Sequence, residues 1–113
     1  MDQFDDSRKI GHNIARMRFD IVLAPEAVAD VKRLKASVRA IIRAALETHL
    51  RHEPMKISRS RIKRRRALRR PQFRLRVGDV RVFYDVSKSV VEVLAIVSKS
   101  EAESWLRQIG SPE

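Results

Sequence analysis

The sequence predicts an α+β fold: an antiparallel sheet with a helical hairpin on its N-terminal side and a helix after its last strand. Three observations predict it. Residues 73–98 carry strand patterns broken by two turns, residues 25–50 repeat apolar positions every three or four, and a new helical pattern opens at Ser100. With 113 residues, 43% of them hydrophobic, the chain suits one domain with a small core.

Each element follows from local signals. Residues 1–16 are polar with scattered apolar positions (Phe4, Ile10, Ile14) and read as an extension, leaving a domain over 17–110. Phe19, Ile21 and Leu23 alternate with Asp20, Val22 and Ala24, which fits a strand. Pro25 suits the first turn of a helix, Glu26 favours its positive end, and Val28, Val31 and Leu34 continue it. Ser37 is the expected N-cap of a second helix, striped by Val38, Ile41, Ile42, Ala45, Leu46 and His49. The short link between them predicts an antiparallel hairpin. Pro54 stops the second helix, and Lys63–Arg70 follow as a basic arm, either irregular or a short helix.

Pro71 ends that arm and Phe73–Val77 alternates cleanly. Gly78-Asp79 is a two-residue hairpin signal before Val80–Val86, and Ser87-Lys88-Ser89 turns the chain into Val90–Ser98. That last strand is apolar on both faces, so it reads as central. Ser100-Glu101-Ala102-Glu103 is a capping box for a helix with Ala102, Trp105, Leu106 and Ile109 on one side, ended by Gly110 and Pro112. The predicted order is β-α-α-β-β-β-α.

Charge narrows the function classes. The net charge is +11, and the surplus is confined to Pro54–Gly78, where 11 Lys and Arg residues stand without one acid. A clustered positive field attracts polyanions, chiefly nucleic acid; a solubilising patch or a docking surface for an acidic protein are the plainer alternatives. Without cysteine there is no disulfide framework or thiolate zinc site. No glycine-rich phosphate loop or metal-ligand spacing occurs, so neither cofactor nor metal is expected. No apolar run or signal peptide points to a membrane, and a cytoplasmic location is expected.

The two-residue turn fixes a register by counting. Val77 opposes Val80, Arg76 opposes Arg81, Leu75 opposes Val82, and Arg74 opposes Phe83. Phe73, Leu75, Val77, Val80, Val82 and Tyr84 then share a core face, while Arg74, Arg76, Arg81 and Phe83 share the other. Like charges directly opposite destabilise a sheet by roughly 0.2–1 kcal/mol, so three arginines there read as an anion-binding face with an aromatic neighbour. A face covered by an acidic partner or by the C-terminal helix would also accommodate them.

The stretch Phe73-Arg74-Leu75-Arg76-Val77-Gly78-Asp79-Val80-Arg81-Val82-Phe83-Tyr84, the earlier Leu23-Ala24-Pro25-Glu26-Ala27 and the later Val97-Ser98-Lys99-Ser100-Glu101 resemble the RelE/ParE superfamily of toxins. The resemblance runs from Met17 to about Ile109. It implies a small toxin of a type II toxin–antitoxin system, neutralised by a cognate antitoxin. RelE-like members cleave mRNA on the ribosome; ParE-like members share the fold and inhibit DNA gyrase. By position, Arg74, Arg76, Arg81 and Lys99 fall on the basic residues of RelE-like toxins and are the catalytic candidates. Ser100 stands where a further arginine is often found, and Trp105 lies near the usual tyrosine.

Metal-free RNA cleavage needs a 2′-hydroxyl in line with the phosphate, a base, an acid, and cations for the developing charge. Arginine supplies charge but stays protonated, which leaves Lys99 as the candidate base. Lys63, Arg64, Arg65, Arg66, Arg69 and Arg70 are expected to bind RNA, with Phe83 and Trp105 as stacking rings. His12 sits in the extension. His49 and His52 close the second helix, where a structural role suits them. Asp85 is expected to pair with a neighbouring cation. A mRNA endonuclease toxin is the first reading, with a gyrase-binding toxin or a non-catalytic RNA-binding module as alternatives.

Overall fold

The computed structural model describes residues 17–64, 68–109 and 111–112, so the 1–16 extension lies outside the described residues. Strand β1 (Asp20–Leu23) leads into helices α1 (Pro25–Arg33) and α2 (Ala36–Leu50). Strands β2 (Ile62–Arg64), β3 (Leu68–Arg70), β4 (Phe73–Val77), β5 (Val80–Ser87) and β6 (Val90–Ser98) follow. Helix α3 (Lys99–Ile109) and strand β7 (Ser111–Pro112) complete the order. Five strands form one sheet in the order β1-β6-β5-β4-β2, antiparallel except that β1 runs parallel to β6. Strands β3 and β7 make a separate two-stranded pair.

The β4–β5 hairpin has the register the turn predicts, from Val77↔Val80 to Phe73↔Tyr84. Gly78, at φ +58°, supplies the left-handed residue such a turn needs. The core face is also as predicted: Phe73, Leu75, Val77, Val82 and Tyr84 are buried with Ala27, Ile42, Leu46 and Leu50 of the helical hairpin. Strand β6 is central, flanked by β1 and β5, which explains why both its faces are apolar.

Several expectations are corrected. The stretch 63–70 is neither an irregular arm nor a helix where it is described. Lys63 and Arg64 pair with β4 as an edge strand, and residues 68–70 pair with β7. Backbone pairing overrides the weak local propensity of this basic run. Helix α2 starts at Ala36 with Lys35 at the N-cap, so Ser37 is inside the helix, and no side chain caps that end. Ile41 and Val28 are exposed, because the faces that pack are Ala27–Asp30–Val31 and Ile42–Leu46–Leu50. Helix α3 starts at Lys99, one residue before the expected cap Ser100, whose hydroxyl meets that of Ser98 at 3.1 Å.

Asp30 does structural work that the sequence did not reveal. Strand β1 pairs with β6 only over residues 90–93, which would leave the Ile96 N–H without a partner. The Asp30 carboxylate accepts it at 2.8 Å, and its other oxygen pairs with Arg33. A buried backbone donor is thus satisfied by a carboxylate carried on α1.

Candidate functional site

Helix α3 lies across the sheet face opposite the helical hairpin, and this decides which arginines remain open. Trp105 stacks on Phe83 with ring centroids 5.0 Å apart and an interplanar angle of 9°. Ala95 is buried beside them, and Leu94, Val97, Ala102 and Leu106 pack around the pair. The Trp105 indole N–H donates to Glu26 Oε2 at 3.3 Å, tying α3 to the start of α1. Such a stack contributes about 0.5–1.5 kcal/mol beyond its burial.

The open four-residue face expected from the sequence is therefore corrected. Phe83 is 1% exposed and Trp105 8%, so each ring is committed to the other and not presented to a base. Arg81 is 7% exposed, and its Nη1 donates to the Gly78 carbonyl at 2.8 Å and the Val80 carbonyl at 3.2 Å. It holds the hairpin turn from beneath. Arg74 is half-buried, and Arg76 is exposed. Sequence alternation correctly sorted residues between faces, but not which part of a face a later helix would cover.

What stays open is one end of the sheet. Arg76 opposes Arg81, and Arg81 opposes Val97 on β6. The Arg76 N–H donates to the Arg61 carbonyl at 2.8 Å, which places Arg61 beside it on the edge. The Lys99 N–H donates to the Asp79 carbonyl at 2.6 Å, which brings Lys99 against the turn between β4 and β5. Lys63 opposes Arg74 two pairs further along the same edge, away from the turn. The side chains of Arg61, Lys63, Arg76 and Lys99 make no ion pair or hydrogen bond among the described residues.

The other basic candidates are placed differently. Arg64 lies over the Phe73 ring, 5.4 Å from its centroid, and donates to the Gln72 carbonyl at 3.2 Å, so it covers the core edge. Arg70 pairs with Asp85 at 2.7 Å and Glu92 at 3.1 Å at the far end of the sheet. Arg65, Arg66 and the side chain of Arg69 lie outside the described residues. Tyr84, the one tyrosine of the chain, is buried in the core, where burial pushes its phenol well above the usual range, and its hydroxyl donates to the Pro54 carbonyl. Among the described residues no group of three His, Asp or Glu side chains is placed to hold a metal ion. No helix among them is long and apolar enough to cross a membrane.

A sheet covered by a helical hairpin on one face and a helix on the other, with cations at one end that are unpaired among the described residues, defines a small α+β protein with a cationic sheet end. Residues 21–103 match the family model described as the ParE toxin of type II toxin–antitoxin system, parDE, and the chain belongs to that toxin family of the RelE/ParE superfamily. No curated protein matches the sequence significantly. Among solved structures, the fold is similar to the RelB–RelE antitoxin–toxin complex from Methanococcus jannaschii, with TM-score 0.57, 18% identity, and coverage of 74% of this chain and 96% of that one. It is also similar to the RelBE2 toxin–antitoxin complex from Mycobacterium tuberculosis, with TM-score 0.55, 19% identity, and coverage of 73% and 99%.

Proposed function

We propose that this toxin acts on mRNA at the ribosome, cleaving it without a metal ion, and that a cognate antitoxin holds it inactive. One observation carries the reading: Arg61, Arg76 and Lys99 meet at the hairpin end, Lys63 stands two pairs further along the same edge, and none of the four has a protein counterion among the described residues. Assembling like charges is unfavourable, and a polyanion removes that cost on binding. Arg61, Lys63 and Arg76 hold successive phosphates. The 2′-oxygen attacks the adjacent phosphorus in line while the bond to the 5′-oxygen breaks, leaving a cyclic phosphate and a 5′-hydroxyl. The 2′-hydroxyl proton passes to Lys99 when its amine is in the uncharged form, and the 5′-oxygen takes a proton from water. Arg76 stabilises the charge on phosphorus, and Arg81 is a positioning residue that sets the turn from which Lys99 is held.

An antitoxin fits the same surface chemistry. An acidic segment laid on this sheet end supplies the missing counterions and blocks RNA in one step. A second reading, a toxin that binds DNA gyrase, is favoured by the burial of Trp105 against Phe83, which removes an aromatic group from the cationic end. Mapping mRNA 5′ ends after induction separates the two. New ends are expected for the wild type and none for Lys99→Arg, which keeps the charge but cannot accept a proton. Persistent cleavage by Lys99→Arg overturns the role of Lys99, and altered plasmid supercoiling without new ends establishes gyrase as the target.

A further inference from the structure

The loop between α2 and β2 lies outside the hairpin, buries Pro54, and is firmly built. Its start is pinned where Tyr84 donates to the Pro54 carbonyl from inside the core. Its end is closed on itself: Ser58 Oγ accepts the Arg61 and Ile62 N–H groups, both at 3.0 Å, while the Ser58 N–H donates to the Ile62 carbonyl at 3.0 Å. Arg61 therefore leaves a fixed backbone.

Two clefts meet at this loop. One, of about 310 Å³, lies between Ser60, Arg61, Arg76 and Gly78 at the cationic sheet end. The other, of about 320 Å³, continues from Ser60 and Arg61 to Thr48 and His49 on the last turn of α2. His49 is partly buried there, and burial together with the Arg61 charge lowers its pKa below the ordinary 6.5. At neutral pH it is an uncharged imidazole with one donor and one acceptor nitrogen, set beside the Thr48 and Ser60 hydroxyls. The first cleft thus offers charge, and the second offers the neutral groups of Thr48, His49, Ser58 and Ser60 beside Glu53 and Lys56, which pair with each other at 3.8 Å.

We propose that the second cleft is a nucleotide subsite: a single-stranded RNA held at the hairpin end continues past Arg61, and the next base enters the space between His49 and Ser60. This rests on the RNA reading of the hairpin end. The chemistry fits the division of labour in single-strand recognition, where cations follow phosphates and uncharged groups meet base edges. Arg61 is shared by both clefts and holds the phosphate between them. His49 and Ser60 meet the base.

Fluorescence anisotropy with 2′-O-methyl RNA, which cannot be cleaved, tests this on the purified protein. A three-nucleotide oligomer covers the hairpin end alone, and a seven-nucleotide oligomer reaches His49. The wild type is expected to bind the longer one about tenfold more tightly. Thr48→Glu, an exposed change that inserts a negative charge into the second cleft alone, and His49→Ala are expected to remove that gain and leave the short oligomer unaffected. Arg76→Ala is expected to weaken both. If the short oligomer binds through Arg76 but the longer one gains nothing, or its gain survives both cleft variants, the subsite is overturned and the RNA reading stands. If neither oligomer binds, the RNA reading fails together with the subsite.

Discussion

Strand β5 carries a like-charge contact near each end, and the two are resolved in opposite ways. Toward its far end Asp85 faces Glu92 on β6, and Arg70 reaches both carboxylates while the Gln72 N–H donates to Asp85 at 2.7 Å. Gln72 in turn accepts the Val86 N–H, so that end is a closed polar network. At the hairpin end Arg81 faces Arg76, and among the described residues no acid answers either of them. The protein neutralises its carboxylate pair internally and leaves its guanidinium pair open. The contrast separates a charge cluster closed by internal ion pairs from one in which Arg81 is held by turn carbonyls and Arg76 stays exposed.

Substitutions can break or sharpen this contrast. The largest effect is expected from Arg76→Glu, which reverses the charge of the exposed arginine and creates an internal partner for Arg81. Growth arrest on induction should be lost while thermal melting is unchanged or slightly higher. Next comes Arg81→Ala. Because Arg81 is buried and donates to two turn carbonyls, it should cost about 1–2 kcal/mol in chemical denaturation. Arg70→Ala acts at the paired end. It leaves Asp85 facing Glu92, half in solvent, and should cost about 0.5–1 kcal/mol without reducing toxicity. A loss of toxicity there would show that the two ends do not divide their roles.

The smallest expected effect is a pH dependence. Burial, then Arg61, holds the His49 pKa below 6.5 in the folded chain, so the unfolded chain binds more protons as pH falls through that value. Stability should therefore decline slightly as pH drops from about 7 to 5, and His49→Gln should flatten that part of the slope. Arg70→Ala, at the other end, should leave it unchanged.

The pattern of what was legible in the sequence follows the range of the interactions. The β4–β5 register was readable because a two-residue turn leaves no freedom in pairing, and the core face followed from alternation. The central place of β6 followed from its two apolar faces. The burial of Arg81 and Phe83 was not readable, since it depends on where α3 lands, some twenty residues later in the chain. The strand in the basic run was hidden for a related reason: Lys63 and Arg64 are in a strand only because β4 offers an edge. Asp30 looked like an ordinary surface acid on a helix, and its role appears only when β1 is seen to stop short of Ile96. The family resemblance named Arg76 and Lys99 among four candidates, while the meeting of Lys99 with the turn, and the lack of counterions there among the described residues, required coordinates.

The parallel pairing of β1 with β6 also sets the order of events during synthesis. The first strand made has its one sheet partner in the last strand of the same sheet, so β1 stays unpaired until residues 90–93 are available, whereas β2, β4 and β5 can pair before then. Helices α1 and α2 can already meet the core face of β4 and β5, while the cationic end is completed only when Lys99 reaches the turn between those strands. Until then a chain still threaded in the ribosome that makes it lacks the Lys99 contact, and its cationic end is unfinished.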